Sequence, residues 1–195
     1  HRSSSRRYLD CGRHMVAQGD YKTARELAEQ CLRLAPSVQD PTMLLLAHQA
    51  MGGTLYFLGE FTLARKHVEQ ALTLYDPQQH NPYASKFPLD PGVVCLAVLA
   101  WILWYQGYPE QALKKKTEAF TLAKELCHPL SLAWALNLAA KLHLWRREAP
   151  AVLEQTRAML QLADEHGMPY WLTEGAMMQG WALAEQGQVQ EGITQ

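Results

Sequence analysis

The chain has 195 residues, is 48% apolar, and carries 18 Lys and Arg against 19 Asp and Glu. It is long enough to bury a sizeable core, and its net charge of −1 gives no general electrostatic drive toward nucleic acid or an anionic membrane. No apolar stretch reaches membrane-spanning length; the run from Val93 to Tyr105 is too short.

The first recognisable element is a turn, Gly19-Asp20-Tyr21-Lys22-Thr23-Ala24, set between two helical patterns. It returns as Gly59-Glu60-Phe61-Thr62-Leu63-Ala64, as Gly107-Tyr108-Pro109-Glu110-Gln111-Ala112 and as Gly187-Gln188-Val189-Gln190-Glu191-Gly192. Ala24 to Ala64 spans 40 residues, Ala64 to Ala112 spans 48, and Ala112 to Gly192 spans 80, so one disguised turn should stand midway. Arg147-Glu148-Ala149-Pro150-Ala151-Val152 fills that gap. A period of this length marks a helical repeat array. One array over 1–195 is expected, with units of about 3–36, 41–76, 91–127, 129–166 and 169–195, the last truncated.

Each unit reads as helix A, a tight turn and helix B. Gly19, Gly59, Gly107 and Gly187 suit the left-handed position after a helix, where a missing Cβ removes the steric penalty. Arg147 stands there in the fourth unit at a cost of about 1 kcal/mol, so that turn is expected to be altered. Helix A begins at Asp40-Pro41, Asp90-Pro91, His128-Pro129 and Met168-Pro169, because proline fits a first turn whose N–H has no intrahelical acceptor. Residues 77–90, with Pro77, Pro82 and Pro88, are expected to form an irregular loop that explains the 48-residue spacing.

The small-residue and Gly-x-aromatic-x-x-Ala pattern resembles the tetratricopeptide (TPR) repeat, enlarged to about 40 residues per unit. Gly12, Gly52 and Gly180 take its small helix-A position, replaced by Ala100 and Ala140 elsewhere, and Ala24, Ala64 and Ala112 begin helix B. Lys116 and Thr156 stand where the motif usually has a bulky apolar residue. The resemblance implies an all-α, right-handed TPR-like solenoid. Residues 90–195, through Asp90-Pro91-Gly92-Val93-Val94-Cys95-Leu96, His128-Pro129-Leu130-Ser131-Leu132-Ala133 and Gly180-Trp181-Ala182-Leu183-Ala184-Glu185-Gln186-Gly187, are similar to the TPR region of large bacterial signalling proteins. Those proteins carry an AAA-type ATPase and often a class III adenylate or guanylate cyclase. The chain begins at His1 without an initiator Met and stops inside a helix B, so it is expected to be a piece of such a parent.

Aligned by their small residues, helices A place Leu96, Leu99, Ala100 and Leu103, and Leu136, Ala139, Ala140 and His143, on a core stripe. His143 is expected to be partly buried and hydrogen-bonded. The adjacent stripe, which lines the inner concave surface of TPR arrays, carries Arg13, Gln49, Tyr56, Trp101, Trp104, Tyr105, Trp134, Asn137, Lys141, Trp145, Met177 and Trp181. Five of the six tryptophans fall on it, while the core stripes hold none. Tyr56, Trp101, Trp104, Tyr105, Trp134, Asn137, Lys141, Trp145, Met177 and Trp181 are therefore the candidate concave binding surface, with Asn137 and Lys141 as polar orienters. Lys141 is placed to hold an anionic group or to sit over a ring. The carboxylate clamp of peptide-binding TPR domains is not reproduced, because Leu9 and Arg13 stand where it needs Lys and Asn.

Catalytic chemistry is absent from the pattern. There is no Gly-x-x-x-x-Gly-Lys-Ser/Thr loop, no H-E-x-x-H arrangement and no metal-ligand spacing among the His and Cys residues, so no cofactor and no metal are expected. Cys11, Cys31, Cys95 and Cys127 are far apart, fall on apolar helix faces and read as buried reduced thiols, hence a cytoplasmic setting. Lys114-Lys115-Lys116 reads as a solvated face. The expected function is non-enzymatic: a segment that takes a protein, peptide or small ligand in its concave groove and regulates attached ATPase or cyclase-type domains. Nucleic acid and membrane are not expected partners. The alternative is a structural spacer whose aromatic concave face is self-buried.

Overall fold

The computed structural model describes residues 18–38, 40–80 and 88–194. Among them every element is helical: α1 (Tyr21–Val38), α2 (Pro41–Phe57), α3 (Phe61–Leu74), α4 (Pro77–His80), α5 (Pro91–Tyr105), α6 (Pro109–Glu125), α7 (Pro129–Trp145), α8 (Ala149–Glu165), α9 (Pro169–Glu185) and α10 (Val189–Thr194). The expectations placed on Leu9, Cys11, Gly12 and Arg13 lie outside the described residues.

Helix starts follow the sequence closely. Asp40 accepts a hydrogen bond from Thr42 N at 3.0 Å, and Asp90 accepts one from Val93 N at 2.9 Å, each beside a proline in the first turn. His128 takes the same role for α7, its Nδ1 accepting from Ser131 N at 3.3 Å. Asp90 is wholly buried and also accepts from Tyr75 Oη at 3.1 Å, which ties together the two ends of the long connection between α3 and α5. That connection is not wholly irregular as expected: Asp76 accepts from Gln78 N at 2.9 Å, and with Pro77 in the first turn it starts the short α4.

The helices form two compact units, His1–Lys115 and Lys116–Gln195. In the first, α1 packs on α2, α2 on α3, and α5 on both α2 and α3. Twelve of the 15 residues of α5 are buried, as a helix apolar on every side requires. Gly52 lets α2 lie close against α3: a Cβ there would overlap Val68 Cγ2 and lie 3.2 Å from Ala64 O. In the second unit, α8 packs on α7, α9 on both α8 and α7, and α10 on α9, around a core that includes Leu136, Val152, Leu153, Met159 and Met178.

Turns close in one way. In the Gly59 turn, Gly59 N donates to Tyr56 O and Glu60 N to Leu55 O; around Gly107 the donors are Gly107 N and Tyr108 N. The same two bonds form at the fourth turn, where Arg147 N donates to Leu144 O and Glu148 N to His143 O, both at 3.0 Å. The expected alteration is absent: Arg147 adopts φ +58°, beside +76° at Gly59 and +82° at Gly107. The bonds that close the turn outweigh the Cβ strain.

Other expectations need correction. Cys31 and Cys95 are buried, but Cys127 is exposed, because the helix ends two residues earlier and Cys127 takes the left-handed turn position at φ +49°. Thr156 is accommodated in the core by its own helix, its hydroxyl donating to Val152 O at 2.9 Å. Lys116 does not belong to a solvated face. It turns inward to donate to His143 Nε2 at 3.3 Å, and burial lowers its pKa. Since an ammonium only donates, Nε2 is the acceptor and His143 Nδ1 carries the hydrogen that goes to Glu148 Oε2 at 2.7 Å.

Candidate functional site

The ten predicted surface residues divide between the two units, four in the first and six in the second. Tyr56 closes the last turn of α2 and is half-buried, stacked on Trp101 of α5 at 5.7 Å and tilted against Phe61 and Tyr105. Burial, with a smaller contribution from Tyr105, pushes its phenol pKa well up. Trp101 is only 6% exposed and belongs to the core, whereas Trp104 is half-buried and Tyr105 is 52% exposed. Gln49, seven residues before Tyr56 on the same stripe, has a buried Oε1 that accepts no hydrogen bond from the described residues.

In the second unit, Trp134, Asn137, Lys141 and Trp145 follow helical spacing along α7, and Met177 and Trp181 do so along α9. Glu174 joins the two stripes. Its Oε2 accepts from Asn137 Nδ2 at 3.2 Å and pairs with Lys141 Nζ at 3.3 Å, while its Oε1 accepts from Tyr170 Oη at 3.4 Å. Asn137 is buried and Lys141 is partly covered, so both are held in fixed orientations. Lys141 is therefore not an uncompensated cation placed to hold an anion, as the sequence reading allowed. Its charge meets a carboxylate already in the wall.

Large apolar groups stand beside this network. Met177 is 63% exposed and Tyr170 is 60% exposed, while Trp134, Trp145 and Trp181 are half-buried. Tyr170 and Glu174 were missed by sequence reasoning, although they precede Met177 by seven and three residues and so share its stripe. Trp171, the one tryptophan off the candidate stripe, is 5% exposed and meets Trp134 edge-on at 5.7 Å and Tyr170 at 4.9 Å. Among the described residues no group of three or more His, Cys, Asp or Glu could hold a metal ion, and no helix is long and apolar enough to cross a membrane.

No protein-family model matches this chain, and no curated protein does. Solved structures with the same fold exist at low identity. BtubC (BKLC) from P. vanneervenii aligns at a TM-score of 0.69 and 17% identity, over 98% of this chain and 85% of its own. A Rap protein complexed with Competence and Sporulation Factor aligns at 0.80 and 14% identity, over 96% of this chain but only 50% of its own length. A kinesin-light-chain-type protein of Podospora anserina with nearly identical TPR-like repeats aligns at 0.65 and 15% identity, over 100% and 92%. The fold is thus that of the TPR-like repeat proteins, and at these identities the likeness extends to the fold alone.

Proposed function

We propose that this chain is a non-catalytic interaction segment that receives an extended peptide of a protein partner on its helix-A faces, and that it acts in the cytoplasm to regulate attached ATPase or cyclase-type domains. The observation that carries the interaction reading is the Glu174 network: a fixed amide, ammonium and carboxylate at the junction of two helices, with exposed Met177 and Tyr170 beside it. Paired donors and acceptors of both charges suit a peptide main chain, and the apolar groups suit its side chains. Gln49, whose Oε1 accepts nothing from the described residues, is the corresponding polar point of the first unit. The Rap protein of the same fold is complexed with Competence and Sporulation Factor, which supports a binding role by analogy of fold. The regulatory part rests on the resemblance of residues 90–195 to the TPR region of bacterial signalling proteins.

A random peptide library selected on the purified chain tests the site. Selected peptides should change tryptophan fluorescence, and Met177→Asp and Tyr170→Ala, both at exposed positions, should weaken them at least about tenfold (about 1.4 kcal/mol) without lowering stability. Binding unaffected by either substitution overturns the site. Nucleotide turnover by the purified chain would overturn the non-catalytic reading, and a parent sequence without an ATPase or cyclase would overturn the regulatory one.

The second reading, a spacer with a self-buried aromatic face, is favoured by the deep burial of Trp101. It predicts that no library peptide binds the Glu174 face.

A further inference from the structure

His48 of α2 and His67 of α3 face each other across their hairpin, with Nδ1 atoms 2.9 Å apart and ring centroids 5.1 Å apart. Nitrogens at this distance share one hydrogen: one ring donates and the other accepts. The neutral pair keeps this bond, and so does the pair with one added proton. With two added protons, both nitrogens become donors and two like charges face each other at contact.

No counter-charge packs against the pair among the described residues. Apart from His48, α2 has no charged side chain, and its other titratable group is Tyr56. Helix α5, which packs on both partners, has none charged, and its titratable groups are Cys95 and Tyr105. On α3, Arg65 holds Glu69 at 2.7 Å, and Lys66 is exposed. On α1, which packs on α2, Cys31 is buried, Tyr21 stacks on Phe57, Arg25 pairs with Glu29 and Glu60, and Lys22, Glu26 and Arg33 are exposed. Burial lowers the pKa of both rings, and for His48 the facing His67 adds to it. The pair also adjoins a close contact of the hairpin, since Gly52 lies one turn along α2 and Val68 follows His67.

We infer that His48 and His67 form a proton-sensitive clasp, which closes the α2–α3 hairpin at neutral pH and is opened by acid when the second proton is forced onto it. Tyr56 lies about two turns further along α2, stacked on Trp101, so opening acts on the first unit's part of the candidate face. Both folded-state pKa values lie below the ordinary histidine value of 6.5. The clasp's stabilisation is therefore present above about pH 6.5 and is lost as pH falls through that value toward the lowered ones. Each proton that the unfolded chain binds and the closed pair refuses changes the unfolding constant by up to about tenfold per pH unit.

Urea unfolding of the whole chain between about pH 7.5 and 5.5, compared with the His48→Asn/His67→Asn double variant, tests this. Asn places a non-titrating amide where each Nδ1 stood. The wild-type unfolding constant should rise over that range more than the variant's, by up to about tenfold for each refused proton; equal pH dependence overturns the clasp. Should the double variant fail to fold, an NMR titration of the wild-type imidazole nitrogens decides. Two linked steps, both below about 6.5, support the clasp, and independent protonation of both rings near 6.5 overturns it.

Discussion

Phe61 and Tyr105 lie face to face, with ring centroids 5.1 Å apart and planes 2° from parallel. One repeat earlier, Tyr21 and Phe57 make the same contact at 5.3 Å and 1°. In both cases the first residue of a helix B stacks on the last residue of the next helix A, so the aromatic of the turn pattern staples one repeat to its successor. A second contact recurs beside it: Arg25 reaches Glu60 at 2.7 Å, and Arg65, the equivalent arginine, lies over the ring of Tyr108, which stands where Glu60 did. An ion pair and a cation–π contact thus serve the same joint.

A double-mutant cycle of Phe61→Leu and Tyr105→Leu should give a coupling of about 0.5–1.5 kcal/mol in urea unfolding, the part of the stack that exceeds simple burial. Additive losses would show that the rings are merely neighbours.

Arg147→Gly should stabilise the protein by about 0.5–1 kcal/mol, because it removes a Cβ from a left-handed position. The ion pair with Glu185 that it forfeits spans 3.7 Å from a side chain 77% exposed, and contributes little. Gly107→Ala should do the reverse, by about 1 kcal/mol. Nothing lies within 4 Å of its added Cβ, so the loss there measures backbone strain alone.

Gly52→Ala should cost about 1–3 kcal/mol through overpacking of α2 on α3. Since the first atom met is Val68 Cγ2, part of the loss should be recovered in Gly52→Ala/Val68→Ala relative to the sum of the single variants. Strict additivity in thermal or urea unfolding would place the strain on the backbone instead.

The hydrogen bond from His143, and then that from Arg146, holds Glu148 below the ordinary carboxylate pKa of 4.5. Its stabilisation is therefore present above about pH 4.5 and lost as pH falls through the lowered folded-state value. Glu148→Gln should cost under about 1 kcal/mol near neutrality, because the side chain is 37% exposed, and the difference from wild type should shrink below about pH 4.5. A constant difference across unfolding titrations at pH 7, 5 and 4 would exclude the ionised carboxylate as its source.

Most of the helical framework was legible in the chain because its causes are local. Asp-Pro pairs started α2 and α5 where caps and a fixed φ demand it, and glycines ended α2 and α5 where a left-handed residue is needed. Arg147 was legible as the fourth turn, but not as a regular one, since whether two backbone bonds outweigh a strained Cβ depends on what surrounds them. The candidate face was legible in part. Spacing placed Asn137, Lys141, Met177 and Trp181 on their stripes, yet it could not show that Trp101 would be covered or that Glu174 would reach across from α9 to take both polar groups.

By itself the sequence determined the helices, their caps and the repeating turn, because each depends on residues within a few positions of one another. Tertiary structure decided which side chains meet. It turned Lys116 inward to His143, neutralised Lys141 with Glu174 and set His48 against His67, since these contacts join residues of different helices 19 to 33 positions apart in the chain. Helical periodicity fixes the face on which a residue stands, and only the packing of a second helix fixes what stands opposite.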